Sequence, residues 1–130
     1  MIQYRKGYKY VLHEDALFPT GILPGQPLET QFILLHTDGE LLIRKGYAWD
    51  GATVASDIHF IRASLVHDAL YQLIREELLT VEDARLQADK LMRRMCIADG
   101  MWKIRAWWVY RAVRFGGENA SREGREVLTA

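Results

Sequence analysis

Near residue 55 the chain changes character, and that change limits the folds open to it. Ahead of it, Gly, Pro, β-branched and aromatic residues dominate, and all three prolines (Pro19, Pro24, Pro27) fall in the stretch FPTGILPGQP. Behind it, apolar residues recur at helical spacing. Strand signals followed by helix signals predict a segregated α+β fold. The expected form is a small antiparallel β-sheet in the N-terminal half packed on three α-helices in the C-terminal half. At 130 residues this is one domain's length, divided into a β-rich part over 1–55, a helical part over 56–117 and a polar tail over 118–130.

The clearest hairpin signal is QFILLHTDGELLIRKG, where Asp38-Gly39 joins two apolar runs. Such a pair suits a type I′ turn, with φ > 0 at both central residues, and predicts strands near 31–37 and 40–46. GYKYVLH over 7–13 alternates as a third strand, FPTGILPGQP reads as a loop, and GYAWDGAT over 46–53 reads as an irregular loop. A first helix is expected from about Asp57 to Glu77, with Ala63, Val66, Leu70, Leu73 and Ile74 on one face. Thr80 is a natural N-cap for a second helix, with Glu82 and Asp83 in its first turn. That helix should run to about Ala98 and end at Asp99-Gly100, antiparallel to the first because the link is short. The third, MWKIRAWWVYRAVRF, is expected over 101–115 with a stop at Gly116-Gly117, leaving ENASREGREVLTA as a partly disordered tail.

Composition removes several function classes. Lys plus Arg and Asp plus Glu are 17 each, so the formal net charge is zero and no nucleic-acid partner is favoured. The single cysteine, Cys96, rules out an intramolecular disulfide framework and points to folding in a reducing compartment. No apolar run reaches 18 residues, and MIQYRKGYKYVLHED is too polar for a signal peptide, so neither a transmembrane helix nor a leader is expected.

The densest chemistry lies in His67-Asp68-Ala69-Leu70-Tyr71. On a helix Tyr71 stands one turn after His67. Asp89 follows His67 by 22 residues, and an antiparallel helix pair turning near 78–80 brings it to about the level of position 70, where it can face His67. A carboxylate beside a histidine fixes its tautomer and stabilises the imidazolium, which makes the histidine a general base. Asp68 is then left for another task, such as an oxygen ligand to Ca²⁺. Trp49-Asp50-Gly51-Ala52 is a glycine loop able to offer carbonyls to the same ion.

These residues resemble the catalytic helices of phospholipase A2 enzymes, secreted and viral. The shared pattern is a glycine-containing calcium loop, an H-D-x-x-Y helix some sixteen residues on, and an aspartate on the antiparallel helix; Gly51 to His67 is 16 residues here. The short His-to-Asp spacing is closer to the parvoviral capsid type. The resemblance implies that His67 activates water, Asp89 orients His67, and Tyr71 bonds into the pair. It also implies that Asp68 ligates Ca²⁺ with carbonyls of the 47–51 loop (Tyr47, Trp49, Gly51), and that the substrate lies at a phospholipid or membrane surface. The match departs in the loop, which holds one glycine where the enzymes show two or more, and in the β-rich first half, which has no counterpart there. Over roughly residues 5–117 the chain also resembles a phage and prophage family, domain of unknown function 1353, carrying W-D-G-A, H-D-A-L-Y and a following A-D. That likeness implies a phage or prophage protein, cytoplasmic when made and then virion-associated, with other phage structural proteins as partners.

The alternatives are of different classes. One is a non-catalytic virion, tail-assembly or docking component, with His67 bonded to a backbone carbonyl and Asp89 paired to Arg85 or Arg93 on its own helix. Another is a metal-dependent phosphohydrolase using His59, His67, Asp68 and Asp89. Its weakness is that His59 lies two helical turns, about 12 Å, before His67. His13 and His36 read as surface or edge residues, and Cys96 as a small core residue. In the third helix, Lys103, Arg105, Arg111 and Arg114 interleave with Trp102, Trp107, Trp108 and Tyr110. The favoured expectation is that Ile104, Trp107, Trp108 and Val109 pack inward and the cations cover a solvated face. A nucleic-acid or lipid contact is the alternative.

Overall fold

The computed structural model describes residues 2–5, 9–49 and 58–129, with side chains described over 10–49 and 59–116. The chain divides into two compact units, residues 1–53 and 54–130. All described strands fall in the first and all described helices in the second, an α+β fold.

The first unit holds two antiparallel sheets where one was expected. Strands β1 (Ile2–Arg5), β2 (Lys9–Leu12) and β7 (Ala48–Trp49) form a three-stranded sheet in the order β1-β2-β7. Strands β3 (Ala16–Pro19), β4 (Leu28–Glu29), β5 (Ile33–Leu35) and β6 (Glu40–Ile43) form a four-stranded sheet in the order β3-β6-β5-β4. The 46–53 loop is therefore part strand: Trp49 pairs with Tyr10 and Ala48 with Val11. Tyr10 and Trp49 also bring their rings to 5.3 Å. Cross-strand aromatic pairing can hold so short a strand where its glycine neighbours argue against one.

In the second sheet the period-2 pattern is clean. Ile33, Leu35, Leu41 and Ile43 are fully buried, while Leu34 and Leu42 face the other side. The hairpin turn differs from the expected type I′. Gly39 N–H donates to His36 carbonyl at 3.0 Å, so the turn spans His36 to Gly39. Among the described residues only Glu77 and four glycines have positive φ, so Asp38 does not. Its carboxylate instead accepts from Glu40 N–H at 3.0 Å, and Gly39 alone takes the left-handed conformation at φ 89°. This is the three-residue hairpin, a type I turn followed by a glycine bulge.

The second unit begins with a 3₁₀ turn over Ile58–Phe60, followed by α1 (Ile61–Arg75), α2 (Val81–Ala98) and α3 (Lys103–Thr129). The predicted α1 face is buried throughout, from Ala63 to Ile74. Thr80 caps α2 as expected, its hydroxyl accepting from Asp83 N–H at 3.1 Å. Ala84, Ala88, Met92 and Cys96 make a buried stripe on α2, and the alanines permit close approach of neighbouring helices. Cys96 belongs to a core with Phe60, Ala63, Met92, Met101, Ala106 and Val109. Gly100, at φ 107°, ends the α2 turn with the His59 ring 3.2 Å from where a Cβ would stand.

The third helix does not stop at Gly116-Gly117. A glycine costs a helix about 1 kcal/mol relative to alanine but removes no hydrogen bond. Gly116 keeps an ordinary φ, and the residues after it include three Glu, two Arg and two Ala with no proline.

The turn geometry sets a prediction. Gly39→Ala forces a Cβ into a left-handed φ and within 3.3 Å of Gly21 N, whereas Gly25 has open space and no positive φ. Urea denaturation should show Gly39→Ala destabilised by about 1–2 kcal/mol. Gly25→Ala should be close to wild type; equal effects at the two sites would contradict the turn assignment.

Candidate functional site

Asp89 is the only charged side chain among the described residues that is fully buried. It sits mid-helix on α2, at the edge of the stripe made by Ala84, Ala88 and Met92. A carboxylate without solvent is stable only if its oxygens are answered by donors, and here three donors from two other helices do so. His67 Nε2 lies 2.6 Å from Oδ1, Tyr71 Oη donates to the same Oδ1 at 2.7 Å, and Arg114 donates to Oδ2 at 2.8 Å. His67 and Tyr71 are one turn apart on α1, with ring centroids 4.2 Å apart. Arg114 comes from α3, and its carbonyl accepts from Arg85 of α2 at 2.6 Å.

The electrostatics follow from these partners. Burial pushes the Asp89 carboxyl up, but the bonds from His67, Tyr71 and Arg114 outweigh it and hold the group below the usual carboxylate range. Burial, and then the Asp89 charge, drive the Tyr71 phenol well above its ordinary value, so it stays neutral and donates. An ionised carboxylate only accepts, so the close nitrogen of His67 must carry a proton. In the neutral imidazole this leaves the lone pair on Nδ1, to which no described residue is hydrogen-bonded. The His67 side chain is 13% exposed while Asp89 is 0% exposed, the order expected if one meets water and the other supports it.

Three expected site residues, His67, Tyr71 and Asp89, are therefore brought together. Arg114 was missed: Asp89 was expected to pair with Arg85 or Arg93 if its role were structural. Arg93 instead lies over the Tyr110 ring at 5.6 Å, and Arg85 bonds to the Arg114 backbone. The signal was available, because Arg114 lies next to Val113, on the edge of the face that buries Ala106 and Val109.

Of the expected calcium set, the described residues are Asp68, Tyr47 and Trp49. Asp68 is half-buried on α1. Tyr47 and Trp49 are buried in the first unit; the Tyr47 carbonyl accepts from Leu12 N–H at 2.8 Å, and Trp49 is in the β2–β7 ladder. Gly51 lies outside the described residues. Among the described residues no group of three or more His, Cys, Asp or Glu converges to hold a metal. The phosphohydrolase set is divided. His59 packs beside Gly100, eleven residues and about 16 Å of helix beyond Asp89.

A family model described as "Protein of unknown function (DUF1353)" matches residues 28–113. The chain belongs to this DUF1353 family. No curated protein and no solved structure matches it. The matched segment includes His67, Tyr71 and Asp89 and ends one residue before Arg114.

The buried carboxylate predicts a sign for acid sensitivity in this family member. Asp89 has a folded pKa below its unfolded value, so its contribution is present above the unfolded value of about 3.9 and is lost as pH falls through the folded one. Asp89→Asn should therefore cost stability at pH 7, on the order of 3 kcal/mol for breaking a buried, paired charge. Urea midpoints should show the gap to wild type closing below about pH 4; a gap that is independent of pH would contradict the assignment.

Proposed function

We propose that His67 is the general base of a hydrolytic site and that its substrate is a phospholipid ester. The observation that carries the proposal is the 2.6 Å contact between His67 Nε2 and Asp89 Oδ1. It supplies the fixed tautomer that a water-activating histidine needs. His67 Nδ1 would take a proton from water as the water oxygen attacks the ester carbonyl. The tetrahedral intermediate then collapses, and the imidazolium returns the proton to the departing lysophospholipid alkoxide. Asp89 stabilises the imidazolium at no reorganisation cost, because it is already ionised and oriented. Tyr71 and Arg114 keep it so.

The resemblance of H-D-x-x-Y and the following Asp to phospholipase A2 helices supports this substrate class. A Ca²⁺ ion at Asp68 is part of that resemblance. When bound it would polarise the ester carbonyl, but the proton transfers above use only the chain's own groups. A phage or prophage setting is supported by resemblance as well.

A second proposal is favoured by one observation. Asp89 is answered by three donors and ties α1, α2 and α3 together, which is also what a purely structural buried carboxylate requires. On that account the protein is a non-catalytic particle or assembly component whose partners are other phage structural proteins.

Hydrolysis of a phospholipid panel with Ca²⁺ or with chelator separates the two. The hydrolase account expects activity in the wild type and a loss of about 10²–10⁴-fold in His67→Gln, the range for a general base. Loss on chelation and in Asp68→Asn would support the ion. Activity that survives both His67→Gln and chelator would reject His67 as the base, and no hydrolysis of any lipid would reject the hydrolase in favour of the assembly component.

A further inference from the structure

The described part of α3 has two faces of opposite character. Ala106 and Val109 are buried, with Tyr110 and Val113 packed beside them. On the other side Ile104 is 68%, Trp108 64% and Phe115 92% exposed, and Trp107 is 39% exposed. Ile104, Trp108, Arg111 and Phe115 follow one another at spacings of 4, 3 and 4 residues, which puts them on one stripe of the helix. The expectation that Ile104 and the tryptophans pack inward is thus overturned, and only Val109 does so.

We infer that this outer face of α3 docks on the headgroup layer of an anionic lipid bilayer. The charge pattern selects that occupant. Between residues 101 and 116 there are four cations and no acidic residue, although the whole chain is neutral; Arg114 is engaged with Asp89, which leaves Lys103, Arg105 and Arg111 for this face. Arg111 lies in the stripe, its guanidinium 5.7 Å from the Trp107 ring. Lys103 and Arg105 flank Ile104 in sequence, and both are exposed. Cations around exposed tryptophans suit the bilayer interface, where indole rings settle and anionic headgroups lie within a Debye length of the bases. No helix among the described residues is long and apolar enough to cross a membrane, so α3 lies on the surface rather than spanning it. This inference does not rest on His67 being a base, but it would place a lipid substrate class within reach of this protein.

Three of the four tryptophans, Trp102, Trp107 and Trp108, are exposed here and Trp49 is buried, so fluorescence reports on this surface directly. The test is co-sedimentation and tryptophan emission of the full chain with phosphatidylcholine vesicles, with and without phosphatidylglycerol. Running His67→Gln in parallel reads binding apart from hydrolysis. Expected are binding and a blue shift with phosphatidylglycerol-containing vesicles, in wild type and His67→Gln alike. Trp108→Ser with Phe115→Ser should weaken binding by about tenfold or more, with the melting curve unchanged because both residues are exposed. Lys103→Gln with Arg111→Gln should remove the preference for the anionic lipid. Absence of binding to anionic vesicles, or binding that neither double variant alters, would overturn the inference. So would a blue shift that appears without vesicles and grows with protein concentration, which would assign the face to a second copy of the chain.

Discussion

A carboxylate with no exposed surface governs the helical unit. Leaving Asp89 buried and unanswered would cost several kcal/mol, so whatever neutralises it is fixed by necessity. His67 and Tyr71 do this from α1, and Arg114 from α3. The same bonds set the relative registers of the three helices, because a slip of one residue on any of them would turn its donor away. The dyad geometry is therefore a consequence of helix packing as much as a device for chemistry. That is why a 2.6 Å histidine–aspartate contact fits both a hydrolytic site and a structural tie.

Much of this was legible in the residues. The α+β division follows from where the prolines stop and the 3.6-residue period begins. The His67–Tyr71–Asp89 grouping follows from a short link between two antiparallel helices, which makes the level of a residue on α2 a matter of counting back from the turn. Thr80 and Gly100 announced the ends of α2 because capping is local chemistry. The cation on Asp89 was harder to see. Arg85 and Arg93 were the obvious partners at helical spacing on the same strand of sequence, but they flank the carboxylate on α2 while its free oxygen, Oδ2, is reached by Arg114 from α3. Tertiary geometry, not sequence spacing, decides such a pairing.

Other features were illegible for related reasons. Strands of two residues, such as β4 and β7, carry too little pattern to show period 2. Pairing and aromatic contact define them instead. Asp38-Gly39 suited a type I′ turn by composition, but a carboxylate able to bond Glu40 N–H favours the type I turn with a glycine bulge. In α3, two glycines were read as a terminus, yet nothing there supplies the left-handed cap that ends a helix. The outward tryptophans defied a rule that is statistical. Large apolar residues prefer the interior, but helical spacing alone does not say which face of α3 the interior takes.

The central claim is that an ionised Asp89 dictates the protonation of His67. It can be read from ¹⁵N–¹H long-range NMR spectra of the imidazole at a pH where the ring carries a single proton. The account predicts the Nε2–H tautomer in the wild type, with Nδ1 unprotonated and ready to accept. An Nδ1–H tautomer with Nε2 unprotonated would contradict it, since that ring has no proton to give to Asp89.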